Sequence, residues 1–309
     1  MSTISGTLRP KSKRDKGGGG RTAAIFLTPF FVLFMLCMIG PVVYSVVLSL
    51  FSEQKSGLGF GGAPQTTFVG ITNYLQVLSS ESFLQGFGRI GLYVVMYIPV
   101  MIGGAIVLAL LLDALAARAK RLFQLLLFLP HAVPGVIAAL IWTYLYTPGV
   151  SPVVQALENG GISLNFFSSE LVLPAMVNIA VWQWTGYNVI IIYTALQAIP
   201  QEVLEAAVVD GAGQIRAAIS IKLPLVLPAL GVIVLFTSIG ALQLFTEPSI
   251  LYKAASSVTP GYVPNMWAYD AAFNRLDLNQ AAAASIIIAA LAAVVSYFVT
   301  RFNSRNVNA

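Results

Sequence analysis

Six long apolar runs dictate what this chain can become. They cover about 23–50, 87–115, 122–146, 171–196, 225–247 and 281–302. Each holds roughly 20 or more mostly apolar residues, enough to cross the hydrocarbon core of a bilayer. In lipid the backbone must satisfy its own N–H and C=O groups, which leaves helices or closed barrels, and runs this long are helices. Composition agrees: 9% of the 309 residues are charged and 57% are hydrophobic, against about 25% charged in soluble domains. A chain this poor in charge does not cover itself in water. The expected fold is an all-α membrane protein with six transmembrane helices.

Charge placement orients those helices. Of the 17 Lys and Arg residues, 13 fall in the N-terminal tail, 116–121, 197–224 and the C-terminal tail. The other 4, Lys55, Arg89, Lys253 and Arg275, fall in or beside the alternate set of loops. The positive-inside rule therefore puts both termini and the 197–224 loop in the cytoplasm. The loop 147–170 has no Lys or Arg, which agrees. The net charge of +5 thus reflects topology and is no nucleic-acid signal.

The tail 1–22 carries Arg9, Lys11, Lys13, Arg14, Lys16 and Arg21 beside Gly17 to Gly20, and is expected to be disordered. A basic start before an apolar run mimics a signal peptide. The 23–50 run is too long for one, and no small-residue cleavage site closes it, so it is expected to stay as the first span. Cys37 lies inside that run and, being the one cysteine, permits no intrachain disulfide. Residues 51–86 are polar and glycine-rich, with a short amphipathic stretch at Asn73, Tyr74 and Leu75. Gly57, Gly59 and Gly62 fit G-x-G-x-x-G, but no strand precedes them and no βαβ unit surrounds them, so a flexible loop is the reading.

The most informative water-loving interruption lies between the fourth and fifth runs. Pro200 stands where a helix would start, since a first turn leaves its N–H groups unpaired anyway. Gln201, Glu202 and Glu205 suit a helix N-terminus, and good helix formers run on to Asp210. Gly211 and Gly213 then allow a left-handed stop. A second short helix from Gln214 is expected to end near Leu223, because Pro224 disfavours helical geometry in the residue before it. The pattern is a helix, a glycine elbow and a second helix, each roughly 15 Å long and too short to span.

In this stretch Glu205, Ala206, Ala207, Asp210, Gly211, Ala212, Ile221, Leu223 and Pro224 stand at the spacing of the EAA loop. The chain thereby resembles the membrane subunits of type I ABC importers. Ala218 departs from the pattern, which has a phenylalanine there. Ala195 to Pro200 looks like the carbohydrate-uptake, maltose-type branch. The third-span prolines and Asn178 to Gly186 extend the resemblance over about 85–300, with 23–84 similar to the family's first span and outer loop.

The resemblance implies a permease core at 85–302, an EAA loop at about 199–224 and a tail at 303–309. It implies a pseudo-symmetric heterodimer with a second permease, two cytoplasmic ABC ATPase subunits, and an extracytoplasmic solute-binding protein that delivers a sugar. It also implies the plasma membrane of a prokaryote.

Within the spans, Trp182, Gln183, Trp184, Tyr187 and Asn188 interrupt an apolar helix. Gln183 with Tyr187, and Trp184 with Asn188, are i,i+4 pairs that share one broad face. Polar groups there should face a bundle interior or a water-filled path. Aromatic faces beside amides suit a sugar, while Gln and Asn also serve as ordinary interhelical hydrogen-bonding groups; both readings stand at this point. Gln243 and Glu247 form a further i,i+4 pair on the fifth span, with Glu247 expected near the outer mouth as a pathway residue or a merely hydrated one. Asp113 reads as an interfacial charge. His131, between Pro130 and Pro134, reads as a packing residue, and the two prolines should kink or loosen the third span.

The chain has no G-x-x-x-x-G-K-[ST] phosphate loop, no H-E-x-x-H, no C-x-x-C and no G-x-S-x-G. It is therefore read as a non-enzyme that binds no cofactor itself, ATP and Mg²⁺ belonging to the partner ATPase. The rival is a secondary transporter driven by an ion gradient. Such proteins usually show internal repeats and intramembrane ionisable residues, and neither is evident here.

Overall fold

A computed structural model describes residues 18–54, 65–114 and 117–307. The glycines of the G-x-G-x-x-G match, and most of the basic tail, lie outside the described residues. The chain divides into two compact units, 1–47 and 48–309.

The first unit is a helix, α1 (Gly18–Phe34), a π-turn (Met35–Ile39), and most of α2 (Gly40–Ser49). Every side chain from Ala23 to Tyr44 is exposed, Cys37 included. An all-round apolar helix of this kind suits lipid rather than water. The helix begins at Gly18, a little before the expected 23.

The π-turn has a local cause. Pro41 has no N–H to give, and its ring crowds the carbonyl one turn back. The chain widens, and the Gly40 N–H donates to the Met35 carbonyl, five residues earlier.

The second unit opens with a feature that the sequence reading did not contain. Strands β1 (Phe51–Gln54) and β2 (Gln65–Phe68) pair antiparallel, with Phe51 opposite Phe68 and their rings 5.4 Å apart. A short helix, α3 (Thr72–Leu78), matches the expected amphipathic stretch. Its buried Asn73 donates to the Ser49 and Phe51 carbonyls at 2.8 and 2.7 Å, and Asn279 donates to Leu48 at 2.9 Å. The bonds to Leu48 and Ser49 satisfy carbonyls that the end of α2 leaves open.

The remaining elements are α4 (Glu81–Ala114), α5 (Ala117–Ala132), α6 (Gly135–Tyr146), α7 (Pro152–Asn159), α8 (Val172–Gln197), α9 (Gln201–Val209), α10 (Gln214–Ala217), α11 (Leu223–Leu225), α12 (Leu227–Leu242), α13 (Thr246–Leu251), α14 (Pro264–Phe273) and α15 (Leu278–Val307). Among the described residues, four helices are long and apolar enough to cross a membrane, or up to six if each of two bent pairs is one span.

Helix α4 packs along α8. Its buried positions, Ile90, Tyr93, Tyr97, Met101, Ala105, Ala109 and Leu112, fall three or four apart and so on one face. Helix α5 approaches α8 so closely that a Cβ on Gly186 would stand 1.6 Å from the Leu127 carbonyl oxygen. Only glycine permits that backbone contact. Helix α14 packs on α15 and α4 through Trp267, whose ring meets Phe83 at 5.2 Å and whose Nε1–H donates to Ser80.

The kink expected in the run 122–146 is present and sharp, since α5 and α6 meet at 92°. Pro130 is absorbed inside α5, whereas Pro134 takes an extended ψ of 135° and ends it, as its missing N–H and its restriction of Val133 require. The fifth run is also interrupted, because Gln243 to Phe245 separate α12 from α13. Finally, the second short helix of the polar loop does not stop before Pro224. It passes through a π-turn (Ala218–Lys222) in which the Leu223 N–H donates to the Ala218 carbonyl. This is the same accommodation seen before Pro41, and Leu223 itself stays helical.

Candidate functional site

Two places carry the residues singled out by sequence. The first is the 201–225 stretch. Pro200 caps α9, with its carbonyl accepting from the Val203 N–H at 3.2 Å. After the helix, the Ala212 N–H donates to Ala207 and the Gly211 N–H to Val208, at 2.9 and 3.0 Å. That paired pattern is a Schellman stop, and Gly211 sits at φ +76° to make it. Gly213 is not left-handed: it is extended, at φ −67° and ψ 165°, and caps α10.

Helix α9 bends 75° from α8. Ala207 is buried, while Glu205, Ala206 and Asp210 are exposed. So are Val208, Val209 (87%), Ile215 (78%) and Ile219. Exposed valines and isoleucines beside carboxylates form an apolar surface with a charged border, the composition of a contact site.

The base of this stretch is tied to the bundle. Asp113, at the end of α4, accepts from Gln197 Nε2 at 2.7 Å and pairs with Lys222 Nζ at 2.5 Å. One carboxylate thus joins the ends of α4 and α8 to the π-turn. Sequence marked Asp113 only as an interfacial charge, because its partners lie 84 and 109 positions away.

The second place is a cavity of about 420 Å³ between α4, α8, α12 and the α12–α13 break. Helix α8 contributes Trp184, Tyr187, Asn188 and Ile191. The α12–α13 segment contributes Phe236, Thr237, Gln243, Phe245, Thr246 and Glu247. Helix α4 contributes Tyr93 and Tyr97, whose rings lie 5.3 Å apart. Five of the seven pathway candidates, Trp184, Tyr187, Asn188, Gln243 and Glu247, are therefore brought together. Glu247 shares this cavity with the middle of α8. Because α12 ends at Leu242, it meets Gln243 across a break and not along one helix.

The other two candidates, Trp182 and Gln183, are not in its lining. Gln183 is buried and its Nε2 donates to the Val133 carbonyl at 2.9 Å. It satisfies the backbone that Pro134 leaves open, which is the interhelical bonding reading. Trp182 faces Trp142, with centroids 5.9 Å apart. Asn188 lines the cavity but spends its amide hydrogens on the Trp184 carbonyl at 2.9 Å and the Met101 sulfur at 3.2 Å. His131 stacks on Tyr187 at 4.5 Å and edges Trp184 at 4.7 Å, fixing both rings. The tyrosines of α4 went unmarked by sequence, although an i,i+4 tyrosine pair inside an apolar run was a readable signal.

A multi-span helical bundle with an internal cavity of aromatic faces, hydroxyls and amides, and with a helical lobe tied to its base, has the construction of a membrane transport subunit. The family model described as "Binding-protein-dependent transport system inner membrane component" matches residues 82–308, and the chain belongs to that family. The sn-glycerol-3-phosphate transport system permease protein UgpA of Yersinia pestis bv. Antiqua (strain Antiqua) is 31% identical over 248 residues, 78% of this chain and 81% of that protein. The arabinooligosaccharides transport system permease protein AraP of Halalkalibacterium halodurans is 24% identical over 275 residues, 88% and 84% of the two chains. A chain of a bacterial alginate ABC transporter, solved in complex with an alginate pentasaccharide-bound periplasmic protein, superposes with a TM-score of 0.76 at 21% identity, covering 92% of this chain and 94% of its own.

Proposed function

We propose that this permease moves a sugar, an oligosaccharide or a close relative of one, delivered by an extracytoplasmic binding protein and driven by ATP hydrolysed in a separate subunit. The observation that carries the reading is the cavity. Trp184, Tyr187, Tyr93, Tyr97 and Phe236 offer ring faces to the apolar faces of a sugar, and Thr237, Gln243 and Thr246 stand among them as hydroxyl and amide partners. The names of the relatives support the class: they carry glycerol phosphate and arabinooligosaccharides. A second permease would complete the path, and two ABC ATPase subunits would supply the energy, binding ATP and Mg²⁺ themselves.

In this reading α9 is the coupling helix. Glu205, Ala206, Ala207, Asp210, Gly211 and Ala212 form the docking helix and its stop, and Leu223 and Pro224 end the loop. The exposed Val208, Val209 and Ile215 seat in a cleft on the ATPase, whose closure moves α9 as a lever. The Asp113 link passes that motion to α4 and α8. The basic residue distribution supports a cytoplasmic position for this loop and for both termini.

The test is a mild-detergent pull-down from native membranes, paired with uptake in vesicles. Co-purification of a phosphate-loop ATPase that is lost when 205–211 is altered, with uptake abolished by ATP depletion while ion gradients remain, is the expected result. Isolation of the chain alone, together with uptake that survives ATP depletion, overturns the proposal in favour of an ion-driven carrier.

A further inference from the structure

The cavity contains one carboxylate and nothing positive to answer it. Among the described residues that line it, none is Lys, Arg or His, and Glu247 is the one acidic side chain. The two ion pairs among the described residues, Lys222–Asp113 and Arg275–Asp270, leave Glu247 out. The nearest cation along α4, Arg89, is already engaged. It donates to the Tyr262 carbonyl at 3.0 Å and to Gln85 at 3.2 Å, and its guanidinium lies 4.6 Å from the centre of the Tyr262 ring. His131 touches Trp184 and Tyr187 from outside the lining.

The walls around Glu247 are mainly aromatic and aliphatic: Tyr93, Tyr97, Phe236, Leu244 and Phe245 among them. Such walls screen a charge weakly, so its field fills the cavity instead of dying within a few ångströms of water. A pore segment lined by one sign of charge selects against ions of that sign. An anionic solute would also meet no donor cation to replace the water it loses on entry, and an unpaired charge in such a place is strongly disfavoured. Neutral hydroxyl-rich rings meet no such barrier, and an ammonium group would be attracted.

We infer that this chain's side of the path repels anions, that Glu247 is the residue responsible, and that this side suits an uncharged sugar or one bearing an amine better than a sugar phosphate or uronate. The inference rests on the cavity being the transport path, as proposed above.

The experiment measures the cavity potential directly, with the full chain in its native membrane complex. In a Cys37→Ser background, Gln243→Cys supplies a thiol in the cavity wall, and Thr237→Cys supplies a second reporter should the first fail to assemble. Each is labelled with two methanethiosulfonates of similar size, the cationic trimethylammonioethyl and the anionic sulfonatoethyl reagents. The cationic reagent is expected to gain at least about tenfold over the anionic one relative to their rates with a free thiol, as expected for a weakly screened charge several ångströms away. Glu247→Gln should return the ratio to the free-thiol value, and Glu247→Asp should keep it. A free-thiol ratio in the parent, or a preference that survives Glu247→Gln at both reporters, overturns the inference. The importer reading fails separately. A charge-selective cavity in a chain that recruits no ATPase would overturn that reading alone, and ATP-driven uptake through a cavity with no charge preference would overturn this inference alone.

Discussion

The 201–225 loop and the membrane cavity are built on opposite principles. The loop is made of consecutive residues: α9, its Schellman stop at Gly211 and the helical return are each fixed within a few positions. The cavity is made of residues brought from three separate segments, with Tyr93 and Glu247 more than 150 positions apart. The loop is therefore damaged by local backbone changes and the cavity by changes in helix packing, and the two can be broken one at a time.

The largest effect is expected at the packing that sets the cavity wall. Gly186→Ala places a carbon 1.6 Å from the Leu127 oxygen, a backbone atom that no rotamer change can clear. Helix α5 must move away from α8, at a cost of about 3 kcal/mol or more. Thermal unfolding in detergent should show a loss of several degrees and poor recovery of the protein. Gly91→Ala, with nothing within 4 Å of its added carbon, should leave both unchanged. Equal behaviour of the two variants would mean that α5 and α8 are not in contact at Gly186.

Next comes the loop. Gly211→Val puts a β-branched residue at φ +76°, a strain of roughly 1–2 kcal/mol that frays the end of α9. Uptake and ATPase recovery should be lost while the thermal midpoint of the bundle falls only slightly. Near-normal uptake would refute the lever.

A smaller effect tests the link between the two regions. Asp113→Asn removes the charge that holds Lys222 and keeps an acceptor for Gln197. The pair is partly exposed, so a double-mutant cycle with Lys222→Gln should give a coupling below about 1 kcal/mol. Uptake should fall severalfold without loss of ATPase binding. A fall in ATPase binding would instead make the pair part of the docking surface.

The smallest effect separates packing from path. Gln183→Leu loses the bond to Val133, about 0.6 kcal/mol for an interhelical hydrogen bond in a membrane, and should leave the apparent affinity for cargo unaltered. Trp184→Ala, in the cavity wall, should weaken that affinity. A Gln183→Leu variant that shifts affinity as strongly would return Gln183 to the path.

What the sequence determined by itself was whatever short range settles. Run length and the shortage of charge set an all-α membrane fold, since a lipid-exposed backbone has so few alternatives. The spacing from Glu205 to Pro224 set a helix, a stop and a helical return, because caps and left-handed glycines act over four or five residues. Proline showed the limit of that reasoning. Pro134 ended a helix and turned the chain by 92°, while Pro41 and Pro224 were each absorbed by a π-turn. All three lack the same N–H. At Pro134 the open Val133 carbonyl finds Gln183 on another helix, and at the other two the helix itself widens to cover the loss.

The tertiary structure alone decided which polar residues line the cavity and which stand outside it. Gln183 and Asn188 share a helix and a polarity, yet the neighbours of Gln183 take it out of the cavity while Asn188 remains in its wall. The same holds for Glu247. Its charge could be read from the sequence, but its position opposite Tyr93 and Tyr97 depended on where α12 breaks and how α4 leans on α8. Those are contacts between segments that the chain order does not contain.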